Sequence, residues 1–150
     1  MRKAMLEYWE GLPDAWLLYG DVGYGVIYQG PRERVLNVGI AEQTMVLMAA
    51  GLASRGKVVY TYAIAPHYLR AWEFIRNLVA DTGRDITLVA VGVGDDYKAL
   101  GKTHCIGVDE LSALCFAISL PYYCPTDRES LDKALRQPGP KMLHLSKASV

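Results

Sequence analysis

Features that would point to many common functions are scarce or absent in this 150-residue sequence. Its three cysteines are odd in number and lack metal-ligand spacing, so no metal site is expected in the chain. No apolar run is as long as a membrane span, and the amphipathic segment 1–11 carries Glu7 and Glu10, unlike a signal peptide. We therefore expect a reducing, cytoplasmic setting, with thiols that are buried or half-buried at Cys105, Cys115 and Cys124.

The sequence also has no excess of either charge. Lys and Arg together number 16, as do Asp and Glu, so the formal net charge is zero. Such a chain has no electrostatic footprint for nucleic acid or for an anionic membrane surface. Because 51% of the residues are hydrophobic and little long-range repulsion exists, we expect a well-filled core and association with copies or partners.

Nucleotide-binding motifs are missing as well. The glycine-rich segment 20–25 (Gly-Asp-Val-Gly-Tyr-Gly) matches neither the dinucleotide fingerprint nor the P-loop. Tyr28 stands where Gly-x-Gly-x-x-Gly requires its third glycine, and no Gly-Lys-Ser/Thr follows. We interpret it as a flexible turn that could line a site.

Strand-like and helix-like patterns alternate along the whole chain. Short apolar or β-branched runs predict strands over residues 15–19, 35–38, 58–64, 86–91, 122–124 and 141–145. Helical patterns cover residues 41–55, 66–81, 108–119 and 126–137, the last opened by a capping box of Thr126 and Glu129. The alternation predicts one α/β domain, residues 1–150, with a mainly parallel sheet and helices on both faces.

The helix over residues 41–55 is apolar nearly all round. A helix of that kind is buried on every side. In a chain of this size we expect another subunit to supply one of those sides.

Glu42 stands at the start of this apolar helix, and two interpretations are open. It could be an ordinary first-turn acid, which the helix dipole favours. It could instead be a desolvated carboxyl that shares a proton with a ligand nitrogen. From spacing alone the first is the more common case.

Histidines offer further candidates. Thr103 and His104 follow a glycine-bearing loop, residues 92–102, at the edge of the predicted sheet where ligands bind, although a structural histidine is the commoner outcome there. Cys105 is adjacent to His104, but neighbouring side chains on an extended segment point apart, which argues against a nucleophilic pair. His67 and His144 look isolated in the sequence. The aromatic residues on either side of His67 are interpreted as core or interface residues: Tyr60, Tyr62, Tyr68 and Trp72.

Taken in order along the chain, these segments resemble the pyrimidine-binding domain of the transketolase and 1-deoxyxylulose-5-phosphate synthase family. The most specific block is Asn-Val-Gly-Ile-Ala-Glu-Gln over residues 37–43, followed by Ala-Ala-Gly-Leu-Ala over residues 49–53. Further matches are Gly20-Asp21, Pro31 with Arg34, Arg70-Ala71 with Glu73, Thr103-His104, Asp109-Glu110, Leu120-Pro121, Pro125 with Asp127, and Gly139-Pro140.

The resemblance implies a role for particular residues. Glu42 would hydrogen-bond the aminopyrimidine nitrogen of thiamine diphosphate and so activate the cofactor. His104 would contact the donor substrate, with Lys102 as a nearby cation. The other residues that would border the cofactor are Ile40, His67, Tyr68 and Arg70.

Three departures from the family pattern accompany the resemblance. His67 stands where an aromatic residue, commonly Phe, stacks on the pyrimidine. Leu100, Gly101 and Lys102 replace the usual Asp-Gly-Pro before Thr-His, and Val93 stands where synthases carry a phosphate-contacting Arg.

The Gly-Asp-Gly…Asn motif that binds the diphosphate and its Mg²⁺ in the family is also absent. We therefore expect a second polypeptide, the diphosphate-binding or N-terminal-type transketolase subunit, in a heterotetramer with two copies of each chain. The expected activity is two-carbon ketol or acyl transfer from a ketose or 2-oxo acid. The alternatives are a beta-type subunit of a 2-oxo-acid dehydrogenase or decarboxylase, and a non-catalytic assembly subunit.

Overall fold

The computed structural model describes residues 1–22, 27 and 32–146. Residues 23–25 of the glycine-rich segment and Pro31 lie outside this part of the chain. None of the described helices is long and apolar enough to cross a membrane.

The described residues form a six-stranded, fully parallel sheet, as the sequence predicts. Its strand order is β2-β1-β3-β4-β6-β5. The strands are β1 (Trp16–Tyr19), β2 (Val35–Asn37), β3 (Val59–Ile64), β4 (Ile86–Val91), β5 (Tyr122–Tyr123) and β6 (Lys141–Leu145). Since β2 lies on one side of β1 and β3 on the other, the strand order reverses at β1. A reversal of this kind opens a crevice at the carboxyl ends of the strands.

Helices cover both faces of the sheet and account for the apolar strands. They are α1 (Arg2–Glu10), α2 (Glu42–Ser54), α3 (Trp72–Leu78), α4 (Val108–Ala117) and α5 (Arg128–Leu135). One core cluster joins the sheet to α2, α3 and α4, and a second joins the opposite face to α1 and α5. Strands β3, β4 and β6 are buried along their whole length because both of their faces are packed.

The helix predicted over residues 66–81 differs from the observed backbone. The segment begins as a 3₁₀ helix (Ala65–Ala71), continues as α3, and ends in a second 3₁₀ turn (Ala80–Thr82). The side chain of Tyr68 ties the first turn to the sheet, because its hydroxyl lies 2.8 Å from Thr61 Oγ1 and donates to the Val89 carbonyl at 3.1 Å. This tether ties the turn to the middle of β3 and of β4.

The capping box of α5 is displaced by one residue from its predicted position. The carboxylate of Asp127, not Thr126, accepts from the Ser130 backbone N–H at 2.8 Å, and Ser130 Oγ accepts from the Asp127 backbone N–H at 3.2 Å. A carboxylate suits the positive start of a helix better than a hydroxyl does. Glu129 is therefore an ordinary first-turn acid.

The thiols also differ from expectation at one position. Cys115 is buried and Cys105 is half-buried, but Cys124 is exposed. Cys124 follows β5, a two-residue strand at the edge of the sheet, which has a neighbouring strand on one side only.

Candidate functional site

Four polar side chains meet where three neighbouring segments leave the carboxyl edge of the sheet. Glu42 is the first residue of α2, which follows β2. His67 and Arg70 belong to the 3₁₀ helix after β3, and His104 ends the 3₁₀ turn Lys102–His104 that follows β4. The fold therefore brings together residues separated by up to 62 positions in the sequence, at the edge where parallel sheets bind ligands.

Glu42 is buried yet incompletely bonded. The residue is only 4% exposed. Its Oε1 accepts from Arg70 Nη1 at 3.0 Å and lies 3.3 Å from His67 Nδ1. Within the described residues nothing bonds Oε2. A buried carboxylate is thus fixed by one oxygen while the other is left for a partner from outside.

Arg70 joins α2 to the turn after β3. Its guanidinium is about half exposed and contacts the Glu42 carboxylate, while its carbonyl accepts from Gln43 Nε2 at 2.9 Å. The Glu42 carboxyl group therefore lies next to both a positive charge and the positive N-terminal end of α2. Two separate contacts therefore set the position of the carboxylate relative to the turn.

His67 is not isolated, contrary to the prediction from sequence. Burial lowers its pKa below the usual value, and the nearby Arg70 and His104 lower it further, whereas Glu42 opposes the shift. The net effect favours a neutral imidazole. Its ring meets that of His104 edge to face, with centroids 5.2 Å apart and planes at 67°.

His104 occupies the rim of this site. Its Nδ1 lies 3.0 Å from Thr103 Oγ1, and its ring is half-buried beside His67. Lys102, in the same turn, is exposed. Both residues face solvent at the edge of the sheet, where a substrate could reach them.

The remaining site residues predicted from the sequence lie in different surroundings. Ile40 is 75% exposed and lies two residues before the start of α2. Tyr68 is fully buried with its hydroxyl bonded inside the core, so neither face of its ring is open to a ligand. The interpretation of Tyr68 as a core aromatic fits this position, and that of a cofactor contact does not.

A second polar cluster is not predicted by the sequence analysis. His144 Nδ1 lies 2.9 Å from the Tyr122 hydroxyl and 3.1 Å from Cys124 Sγ, so His144 is not isolated either. Burial lowers the pKa of His144. Cys124 is exposed as a residue, but partial desolvation of its sulfur beside His144 raises the pKa of the thiol, so both groups are neutral. The parallel register of β5 and β6 explains this cluster. It pairs Tyr122 with Met142, so Cys124 and His144, each two positions further along, lie side by side.

A parallel sheet with a buried carboxylate at the start of a crossover helix defines a class of ligand-binding α/β domain. The chain matches the family model for the transketolase pyrimidine-binding domain over residues 2–148, and it belongs to that family.

Similar proteins include a transketolase subunit and a synthase. The chain is 35% identical over 121 residues to an apulose-4-phosphate transketolase subunit of Actinobacillus succinogenes, covering 75% of this chain and 38% of that protein. It is 36% identical over 106 residues to the 1-deoxy-D-xylulose-5-phosphate synthase of Desulfotalea psychrophila, covering 69% of this chain and 16% of that protein. The chain therefore spans well under half the length of these relatives.

Solved structures agree on the fold. A split-gene transketolase, described as an inactive beta4 tetramer, superposes with a TM-score of 0.79 at 26% identity, covering 99% of this chain and 50% of that chain. The transketolase of Campylobacter jejuni superposes with a TM-score of 0.80 over 97% of this chain and 25% of that chain; at 17% identity this likeness concerns the fold alone.

The residues present fit the pyrimidine end of thiamine diphosphate. A ring nitrogen that shares a proton needs a buried carboxyl oxygen, and Glu42 Oε2 is open in a side chain that is otherwise enclosed. The His67 ring beside it carries a buried Nε2 without a hydrogen-bond partner among the described residues, a second polar atom left for a ligand.

Proposed function

We propose that this chain is the pyrimidine-binding subunit of a split, thiamine-diphosphate-dependent transketolase-like enzyme. The observation that carries the proposal is the buried Glu42 carboxylate, which is held through Oε1 and open at Oε2. When bound, the cofactor would supply a carbon nucleophile that accepts a two-carbon ketol or acyl unit from a ketose or 2-oxo acid. Glu42 would hold a proton at the aminopyrimidine nitrogen.

Other residues would support this role. Arg70 fixes the orientation of Glu42, and His67 lies between Glu42 and His104, where a pyrimidine ring would pack. His104 and Lys102, at the more exposed rim, would contact the donor substrate. Ile40 would be covered on assembly, since three quarters of its surface is exposed beside Glu42.

The proposal requires a partner subunit that binds the diphosphate and its Mg²⁺. Support comes from the likeness to a protein named as a transketolase subunit and to a split-gene transketolase. The exposed apolar side chains of α2, Leu47 and Met48, offer a surface for such a partner. We propose an assembly with two copies of each chain, working in the cytoplasm.

Glu42→Gln tests the proposal in the complex with the diphosphate-binding subunit. The amide keeps the size of the side chain but cannot carry the proton, so ketol transfer should fall about a hundredfold or more. Glu73→Gln is the matched control, because Glu73 is also a first-turn glutamate but is exposed. Full turnover by Glu42→Gln would contradict the enzymatic role and favour a non-catalytic assembly subunit.

A further inference from the structure

Asn37, the last residue of β2, joins the ends of two neighbouring strands through its side chain. Its Oδ1 accepts from the backbone N–H of Gly39 at 2.9 Å and from that of Asp21, two residues after β1, at 3.3 Å. Because both partners are N–H donors, the atom that faces them is the carboxamide oxygen and not the nitrogen. One exposed side chain thus satisfies two backbone groups at the carboxyl edge of the sheet, where the strand order reverses.

The two backbone segments that Asn37 joins are closely packed and have unusual conformations. Asp21 and Gly39 both have positive φ angles, 51° and 70°. Such angles are uncommon for residues other than glycine, although aspartate tolerates them better than most. A Cβ on Gly20 would lie 3.3 Å from the Gly39 carbonyl oxygen, so the two segments approach each other closely. An unusual conformation on each side of the junction is therefore bonded to the same side chain.

The helix that carries Glu42 begins just after this junction and has no side-chain cap among the described residues. Its N-cap is Ala41, whose methyl group cannot accept a hydrogen bond. The Ala41 N–H donates instead to the Gly39 carbonyl at 2.9 Å, which links the start of α2 to the turn that Asn37 holds. Since the helix lacks a cap, this turn sets the direction in which the chain enters α2.

We propose that Asn37 is a positioning residue for Glu42: its carboxamide oxygen fixes the turn through which the chain enters α2, and so fixes where the Glu42 carboxylate lies. Arg70 holds the Glu42 side chain through Oε1, whereas Asn37 holds the backbone that leads to it. Misplacement of a catalytic group by about 1 Å can lower a rate about a hundredfold. The effect on catalysis rests on the proposed function, but the two Asn37 bonds do not.

Amide hydrogen exchange of the ¹⁵N-labelled chain tests the Asn37 bonds without cofactor or partner. Asn37→Ala removes the acceptor, so the Gly39 N–H should exchange about fivefold faster and the backbone signal of Glu42 should shift. Asn37→Asp keeps an acceptor oxygen, and both observables should stay near those of the parent. Asn77→Ala is the matched control and should change neither, since Asn77 is also exposed and its Oδ1 accepts only from a neighbouring side chain among the described residues. Either an unchanged Gly39 exchange rate or an unshifted Glu42 signal in Asn37→Ala would overturn the proposal.

Steady-state kinetics of the complex with the diphosphate-binding subunit separate positioning from a merely structural role. We expect Asn37→Ala to lower kcat for ketol transfer about tenfold while KM for the donor changes less than about twofold, because Glu42 is misplaced but the substrate contacts at the rim remain. Asn37→Asp should restore kcat to within about threefold of the parent value, and Asn77→Ala should leave it unchanged. Because Asn37 is exposed, neither of its substitutions opens a cavity in the core.

The outcomes distinguish this inference from the proposed function. Full kcat in Asn37→Ala, or a loss that Asn37→Asp does not restore, would refute the positioning role of the carboxamide oxygen. No ketol transfer by the parent complex would refute the proposed function, while the exchange measurement would still decide whether Asn37 sets the start of α2.

Discussion

At the scale of single residues, the Glu42 carboxylate has low exposure and depends on a few contacts. A carboxylate that is 4% exposed has lost most of its hydration, and Arg70 is the only full positive charge that contacts it among the described residues. Removal of one member of such a pair leaves the other charge without compensation. The loss of stability on removing Arg70 is limited because its guanidinium is itself about half exposed.

Arg70→Ala should lower the free energy of unfolding by about 1–2 kcal/mol in urea denaturation. Arg76→Ala is the control, since Arg76 is exposed and bonds only the neighbouring Asn77 side chain among the described residues. It should change stability by less than about 0.5 kcal/mol. Equal effects of the two substitutions would show that the buried carboxylate gains nothing from its arginine.

Residue types at the site can be predicted from sequence only in part. Glu42, Arg70 and His104 are predicted because each belongs to a sequence block that matches the family. The contact of His67 with Glu42 cannot be found in this way, since it joins α2 to a turn 25 residues later. The core position of Tyr68 cannot be found from sequence either, because it depends on hydrogen bonds from its hydroxyl to Thr61 of β3 and Val89 of β4.

At the scale of elements, strands are predicted more accurately than helix starts. The alternation and apolarity of side chains identify a strand that is buried on both faces. All six predicted strands are present. Four of them are one residue shorter than predicted: β1, β2, β3 and β5. The start of a helix depends instead on which of several adjacent polar side chains reaches the free N–H groups. Thr126 and Asp127 are both acceptable caps by residue type, and the observed backbone selects Asp127.

The cap of α5 provides a direct test at this scale. Asp127→Ala removes the acceptor for the Ser130 N–H and should destabilise the fold clearly more than the matched change at Thr126 does. Thr126→Ala, at the position predicted from sequence, should cost less than about 0.5 kcal/mol. Thermal unfolding followed by circular dichroism measures both, and a larger loss for Thr126→Ala would contradict the observed cap.

At the scale of the whole molecule, the main question is what covers α2. The helix is apolar nearly all round, yet only one side packs on the sheet, through Met45, Val46 and Ala49. On the outer side Leu47 is 45% exposed and Met48 is 36% exposed. Apolar side chains grouped beside a functional site are typical of a protein–protein contact surface.

If the proposed partner subunit packs on this side of α2, a charge placed there should prevent assembly. Leu47→Glu puts an ionised group into the contact and should abolish co-elution with the diphosphate-binding subunit in size-exclusion chromatography, because the desolvated charge would have no counter-ion. It should leave the fold of the isolated chain intact, since the position is exposed in the chain alone. Phe116→Glu is the matched control: Phe116 is 86% exposed on α4, and its replacement should leave assembly unchanged. If instead Phe116→Glu blocks assembly and Leu47→Glu does not, the partner binds at α4, away from Glu42, and a cofactor site shared between the two subunits becomes untenable.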